Sequence, residues 1–137
     1  MKRLEKDSLG SIDVPKDALW GAQTQRSILN FAIGNEVIPL EIILAIAQIK
    51  ASAAHVNNHL GLITTETAQF ITEASLEIIE GKHNDQFPVR VWQTGSGTQT
   101  NMNVNEVISN IASKRSNNTL GSHKPIHPND HLTCPQS

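Results

Sequence analysis

The run GSGTQTNMNVNEVISNI, Gly95 to Ile111, joins a glycine-punctuated polar loop directly to a helical pattern. Val104, Val107, Ile108, Ile111 and Ala112 recur at the i, i+3, i+4, i+7, i+8 spacing of a helix that buries one face, which predicts a helix from about Asn101 to Arg115. Gly95 and Gly97 allow positive φ and close approach of a ligand to the backbone, while Ser96, Thr98, Gln99, Thr100, Asn101 and Asn103 gather neutral donors around the helix start. Helix-end amides and the positive end of the dipole coincide there, so the stretch fits a small anion such as a carboxylate. The same residues also fit a plain capped helix after a polar turn, with Thr98 or Thr100 as the N-cap. Two nucleotide-binding loops are excluded. No Gly-Lys-Ser/Thr ending follows, and Thr100 stands where a dinucleotide fingerprint requires its third glycine.

Working back from this stretch, Val89-Arg90-Val91-Trp92 reads as a short extended piece delivering the loop, and His83–Pro88 as a connection. Thr64 or Thr65 caps a preceding amphipathic helix with Ile71, Ala74, Ser75, Ile78 and Ile79 on its face and Gly81 at its end. Before it, a long helix opens at Pro39 and stops at Gly61. Its apolar residues, from Leu40 through Ile49 to Val56, cover nearly every direction around the axis, so more than one neighbour is expected to bury it. His55 and His59 have i, i+4 spacing without a third ligand nearby, and fit the negative end of the helix dipole better than a metal. Leu19–Ser27 opens a short helical stretch that ends at Gly34-Asn35, and Arg26 within it reads as a salt-bridge residue. Residues 1–19 are polar and punctuated by Gly10, Asp13 and Pro15, so only brief extended structure is expected.

Beyond the central helix, Ser116–Ser122 is rich in turn formers. His123, His127 and His131 would line one side of a helix, but Pro125 and Pro128 forbid that helix, and with it the metal reading. An Asx turn at Pro128-Asn129-Asp130 accounts for the local geometry. The fold expected from these elements is mainly α: three principal helices with little or no sheet.

The 137 residues make one domain, with a net charge of −2 and no basic stripe, which argues against nucleic acid or an anionic membrane as the main partner. Cys134 is the single cysteine, so an internal disulfide is excluded and a reducing compartment fits. The first fifteen residues lack the apolar core of a signal peptide and carry Glu5 and Asp7, which a transit peptide avoids, so a cytoplasmic location is expected.

Two strings add a resemblance. Trp92-Gln93-Thr94-Gly95-Ser96-Gly97-Thr98-Gln99, followed by Asn101-Met102-Asn103-x-Asn105-Glu106-Val107, resembles the first signature region of class II fumarate hydratases in the fumarase/aspartase superfamily. Ile126-His127-Pro128-Asn129-Asp130-His131 is similar to their His-Pro-Asn-Asp segment, and Leu19–Ser27 to their N-terminal region. The likeness implies that residues 1–136 form the N-terminal helical domain of that fold and that the chain ends at the start of the central domain. It implies substrate binding by Ser96, Gly97, Thr98 and Ser137, and an accessory carboxylate site at His127, Pro128, Asn129 and Asp130. It further implies reversible hydration of fumarate to L-malate in the tricarboxylic acid cycle, with no metal or cofactor. The family's catalytic histidine and mobile serine loop lie further along, so the resemblance gives this stretch no catalytic residue and makes the full enzyme a homotetramer with composite sites.

Lys124 stands where an arginine often flanks the accessory site, replacing a fork-shaped carboxylate partner by a point charge, and Pro135 departs from the usual run at the domain junction. Alternatives are a non-catalytic domain that binds a partner or a small dicarboxylate, and part of an aspartate ammonia-lyase. Relatives of the ammonia-lyase usually carry Gly-Gly-Ala-Gly and Asn-Pro-Asn-Asp, whereas Gln93-Thr94-Gly95-Ser96 and His127 follow fumarase.

Overall fold

The computed structural model describes residues 1–30, 36–90 and 97–132. The chain opens with an antiparallel hairpin, β1 (Lys2–Asp7) and β2 (Gly10–Pro15), in register from Lys2 opposite Pro15 to Asp7 opposite Gly10. Among the described residues four helices follow: α1 (Ala22–Asn30), α2 (Leu40–His59), α3 (Thr65–Ile79) and α4 (Thr98–Arg115). A 3₁₀ turn, Asn84–Gln86, lies between α3 and α4. The architecture is mainly helical, as the periodicity predicts, and among the described residues it carries one two-stranded sheet.

The hairpin exceeds the brief extended structure expected there. Few of its residues are apolar and buried, and Arg3 is one of its anchors. The guanidinium pairs with Glu5 and donates to the carbonyls of Pro15, Lys16, Ala18 and Trp20 at 2.8–2.9 Å, fastening the hairpin to the segment that leads into α1. That segment delivers α1, a fourth helix of 9 residues beside the three principal ones.

The core lies where α2, α3 and α4 meet. Ile43, Ala47 and Ala54 of α2 pack with Ile71, Ala74 and Ile78 of α3 and with Val104, Val107, Ile108 and Ile111 of α4. Thr64 caps α3 as predicted, its side chain accepting from the Thr67 amide at 3.1 Å. Gly61, at φ 76°, closes α2 by letting the Leu62 amide return to the Asn57 carbonyl. Burial of α2 differs from expectation. One stripe faces the core, whereas Ile42, Ile49 and Val56 on the other side are about half exposed.

α4 is the helix around which the rest is hung. Its apolar face is the predicted one, but its polar face is buried as well, through Asn103, Asn105, Glu106, Ser109, Asn110 and Ser113. These short side chains hold irregular backbone. Asn110 donates to the Leu19 carbonyl and accepts from the Gly121 amide, Ser109 donates to the Ile126 carbonyl, and Ser113 donates to that of Lys124. The segment from Gly121 to Leu132 is thereby laid along the start of α1 and the middle of α4.

Candidate functional site: two hollows at the start of the central helix

α4 begins at Thr98, about one turn's length before the predicted Asn101, because Gly97 takes the N-cap position in the left-handed region at φ 73°. Neither Thr98 nor Thr100 occupies the cap. A backbone turn that a side chain would strain does the work assigned to a hydroxyl. Ser96 and Ser137 fall outside the described residues. Thr98 and Gln99 line a hollow of about 320 Å³ together with Asp7, Ser8 and Leu9 of the hairpin turn, Gln23, Arg26, Ser27 and Asn30 of α1, and Met102. The Ser27 hydroxyl donates to Gln99 Oε1 at 2.8 Å, which joins α1 to the first turn of α4.

A second hollow of about 230 Å³ shares Asp7, Ser8, Gln23 and Met102 with the first and extends to Lys6, Ala22, Glu106, His123, His127, Pro128 and Asn129. The two strings singled out in the sequence, far apart along the chain, thus border hollows with a common wall. Of the second string, His127, Pro128 and Asn129 line the hollow. Asp130 is not among the lining residues, and its side chain is 77% exposed. The expected Asx turn is corrected in one respect: His127 Nδ1 closes the turn, accepting from the amides of Asn129 and Asp130 at 3.1 and 3.3 Å. A ring nitrogen that accepts places the proton on Nε2. The His127 amide in turn donates to His131 Nδ1 at 2.8 Å, so these two histidines build the turn. Lys124 is exposed and does not border the hollow, and the lysine that does is Lys6.

Two acidic residues that border the hollows were given no role from the sequence. Asp7 meets Arg26 in a fork, Nε to Oδ2 at 3.0 Å and Nη2 to Oδ1 at 2.9 Å, and Arg26 also donates to the Gly10 carbonyl. The Arg26 hydrogen bonds hold the Asp7 carboxyl below its usual value against the opposing effect of burial. This is the salt-bridge role expected of Arg26. Glu106 is buried and accepts from the amides of Gly21, Gln23 and Thr24 and from the Thr24 hydroxyl at 2.6–3.0 Å, so its carboxylate caps α1 from the neighbouring helix. Burial pushes this carboxyl up, while the Thr24 hydroxyl and the three amides pull it down. At the far wall, burial lowers His123, and the neighbouring His127, whose ring stands edge-on with centroids 4.7 Å apart, adds to that effect. Both acids have local answers to their charge, which leaves Lys6 and the dipole end of α4 to favour an anion.

Comparison with known proteins places this geometry. Residues 10–137 match the protein family described as Lyase. The chain belongs to that family. It is 61% identical over 98% of its length to a protein named fumarate hydratase class II from Prochlorococcus marinus, of which it covers 29%. A class II fumarase structure from Schistosoma mansoni superposes at a TM-score of 0.92 with 45% identity, covering 96% of this chain and 28% of that one. A fumarate lyase:delta crystallin structure from Brucella melitensis gives 0.92 at 39% identity, covering 100% of this chain and 32% of that one. This lyase-family chain therefore spans less than a third of the length of these relatives. Among its described residues, no helix is long and apolar enough to cross a membrane.

Proposed function

We propose that the chain is the N-terminal part of a class II fumarate hydratase, which interconverts fumarate and L-malate in the cytoplasm and is assembled as a homotetramer. The observation that carries this reading is the common wall of Asp7, Ser8, Gln23 and Met102 between the Gly97–Thr98 helix start and the His127–Asn129 turn. Names borne by relatives at 61 and 45% identity support it.

In this reading Gly97 and Thr98, with Ser96 and Ser137, bind substrate, and His127, Pro128, Asn129 and Asp130 form an accessory carboxylate site. Hydration of fumarate, and its reverse, passes through removal of a proton beside a carboxylate, so negative charge builds on that carboxylate in the transition state. Fixed neutral donors and a helix N-terminus stabilise such charge without reorganising, and the start of α4 offers both. The proton-transfer groups belong to the remaining length seen in the relatives and to sister subunits, so this chain alone binds and does not turn over.

Amide NMR of the chain titrated with fumarate, with L-malate and with acetate tests this. Saturable shifts at Thr98 and Asn129 with the dicarboxylates, and weaker ones with acetate, are expected. Absence of shifts at both places would overturn the binding role. Hydration of fumarate by the chain alone would overturn the division of labour.

A further inference from the structure

Of the three histidines His123, His127 and His131, only two build the turn. Nδ1 of His127 accepts from the Asn129 and Asp130 amides, and Nδ1 of His131 accepts from the His127 amide. Neither ring nitrogen of His123 has a hydrogen-bond partner among the described residues, although the ring is partly buried and lines the smaller hollow. Its backbone takes φ 59°, in the left-handed region that a side chain enters at some cost. An imidazole is thus held in a polar hollow, against strain, with its donor and acceptor unused. Charged groups approach it from every wall. On the hairpin, Glu5 is paired with Arg3, Asp7 is held by Arg26 of α1, and Lys6 makes no ion pair among the described residues. On α4, Glu106 is engaged by the amides of Gly21, Gln23 and Thr24. On its own segment stand His127, the exposed Asp130 and the exposed Lys124. Lys6 is therefore a fixed positive charge of the hollow, and His123 is a charge that acid can add.

We propose that His123 is a binding residue of this hollow, whose imidazole takes up a proton from solvent when a carboxylate enters and then donates to that carboxylate. This role rests on the accessory-carboxylate reading of the same hollow, and adds to it a residue outside the run from His127 to Asp130. In the chain by itself, burial and then His127 keep the ring below its ordinary 6.5, while Glu5 and Asp130 pull it the other way. An anion alongside reverses the balance, because a neighbouring negative charge favours the protonated ring and the hydrogen bond is then charge-assisted. The sign follows from linkage. His123 binds more protons with the carboxylate in place than without it, so affinity rises as pH falls through the interval between the two midpoints.

NMR of the chain titrated with fumarate tests it at successive pH values on either side of 6.5. The Asn129 amide reads binding, and the His123 ring proton reads the charge. Fumarate is expected to raise the midpoint of the His123 titration by about one pH unit, and so to bind about tenfold more tightly at the acid end. His123→Asn keeps a residue that tolerates left-handed backbone and removes the titrating ring. It is expected to abolish the pH dependence at Asn129. Three results would overturn the role of His123 and leave the accessory site standing: binding at Asn129 with the same affinity throughout, a His123 midpoint that fumarate does not move, or wild-type pH dependence in His123→Asn. No response at Asn129 at any pH would overturn the accessory-site reading itself, and this role with it.

Discussion

Glu106 does for α1 what a local N-cap does elsewhere, but from another helix and with both oxygens. Its four donors face an acceptor-only group, so a glutamine in its place turns an amide NH₂ toward at least one N–H. Glu106→Gln is expected to lower stability by about 1–3 kcal/mol, read as a lower urea midpoint at unchanged slope. Gly21 tests the same arrangement from the other side. A Cβ there would stand 2.7 Å from Glu106 Oε2 and 2.9 Å from its Cδ. The Glu106 carboxylate is pinned by three amides and a hydroxyl and has little room to yield. Gly21→Ala is therefore expected to cost about 1–3 kcal/mol, as overpacking in a core does. An alanine variant with the wild-type urea midpoint would show that the carboxylate moves freely and that α1 is held by other contacts.

Among the elements, α3 depends on a single side chain for its start. Thr64 accepts from the Thr67 amide, while Pro39 gives α2 no side-chain cap. Thr64→Ala is expected to cost about 1 kcal/mol and to speed hydrogen exchange at the Thr67 amide, leaving the α2 amides near Leu40 unchanged. Equal acceleration at both helix starts would mean global loosening. The cap was readable in the sequence, as were the three long helices, because periodicity of 3.6 and terminal Pro, Thr and Gly are local signals. The hairpin was not: Leu4 and Leu9 are largely exposed, and the strands are fastened by two arginines, Arg3 reaching carbonyls 12 to 17 residues away and Arg26 reaching Asp7 and Gly10. The burial of α4 on all sides was hidden by the rule that polar residues face water. Its signal was there, in a helix whose polar positions from Asn101 to Ser113 are all short Asn and Ser apart from one acid. Of the candidate site, Gly97, Thr98 and the His127–Asn129 turn were legible as strings. Asp7 and Glu106 were not, since the donors to Glu106 lie 82 to 85 residues away in sequence.

For the whole molecule, two ion-paired carboxylates tie the layers together, and both make stability depend on pH. Asp7 with Arg26 binds the hairpin to α1. Glu77 accepts from His83 at 2.8 Å and from Arg115, which joins α3 to the end of α4. Burial pushes the Glu77 carboxyl up, but the His83 and Arg115 hydrogen bonds outweigh it and leave it below the ordinary 4.5. The Arg26 hydrogen bonds likewise leave Asp7 below 3.8. A carboxyl lowered in the folded state binds fewer protons there than in the unfolded chain, so its stabilisation is complete above the ordinary value and is lost as pH falls through the folded one. Asp7→Asn and Glu77→Gln are therefore expected to be less stable than wild type near neutrality and to converge on it in acid. Glu106, raised by burial, and His123, lowered by it, add their own slopes to every variant. The informative quantity is thus the difference between wild type and each single variant, taken from urea midpoints at successive pH values. That difference should shrink first for Glu77, whose ordinary value of 4.5 is the higher, and at lower pH for Asp7. A difference that stays constant from neutrality into acid would mean that shape, and not charge, makes these two contacts hold.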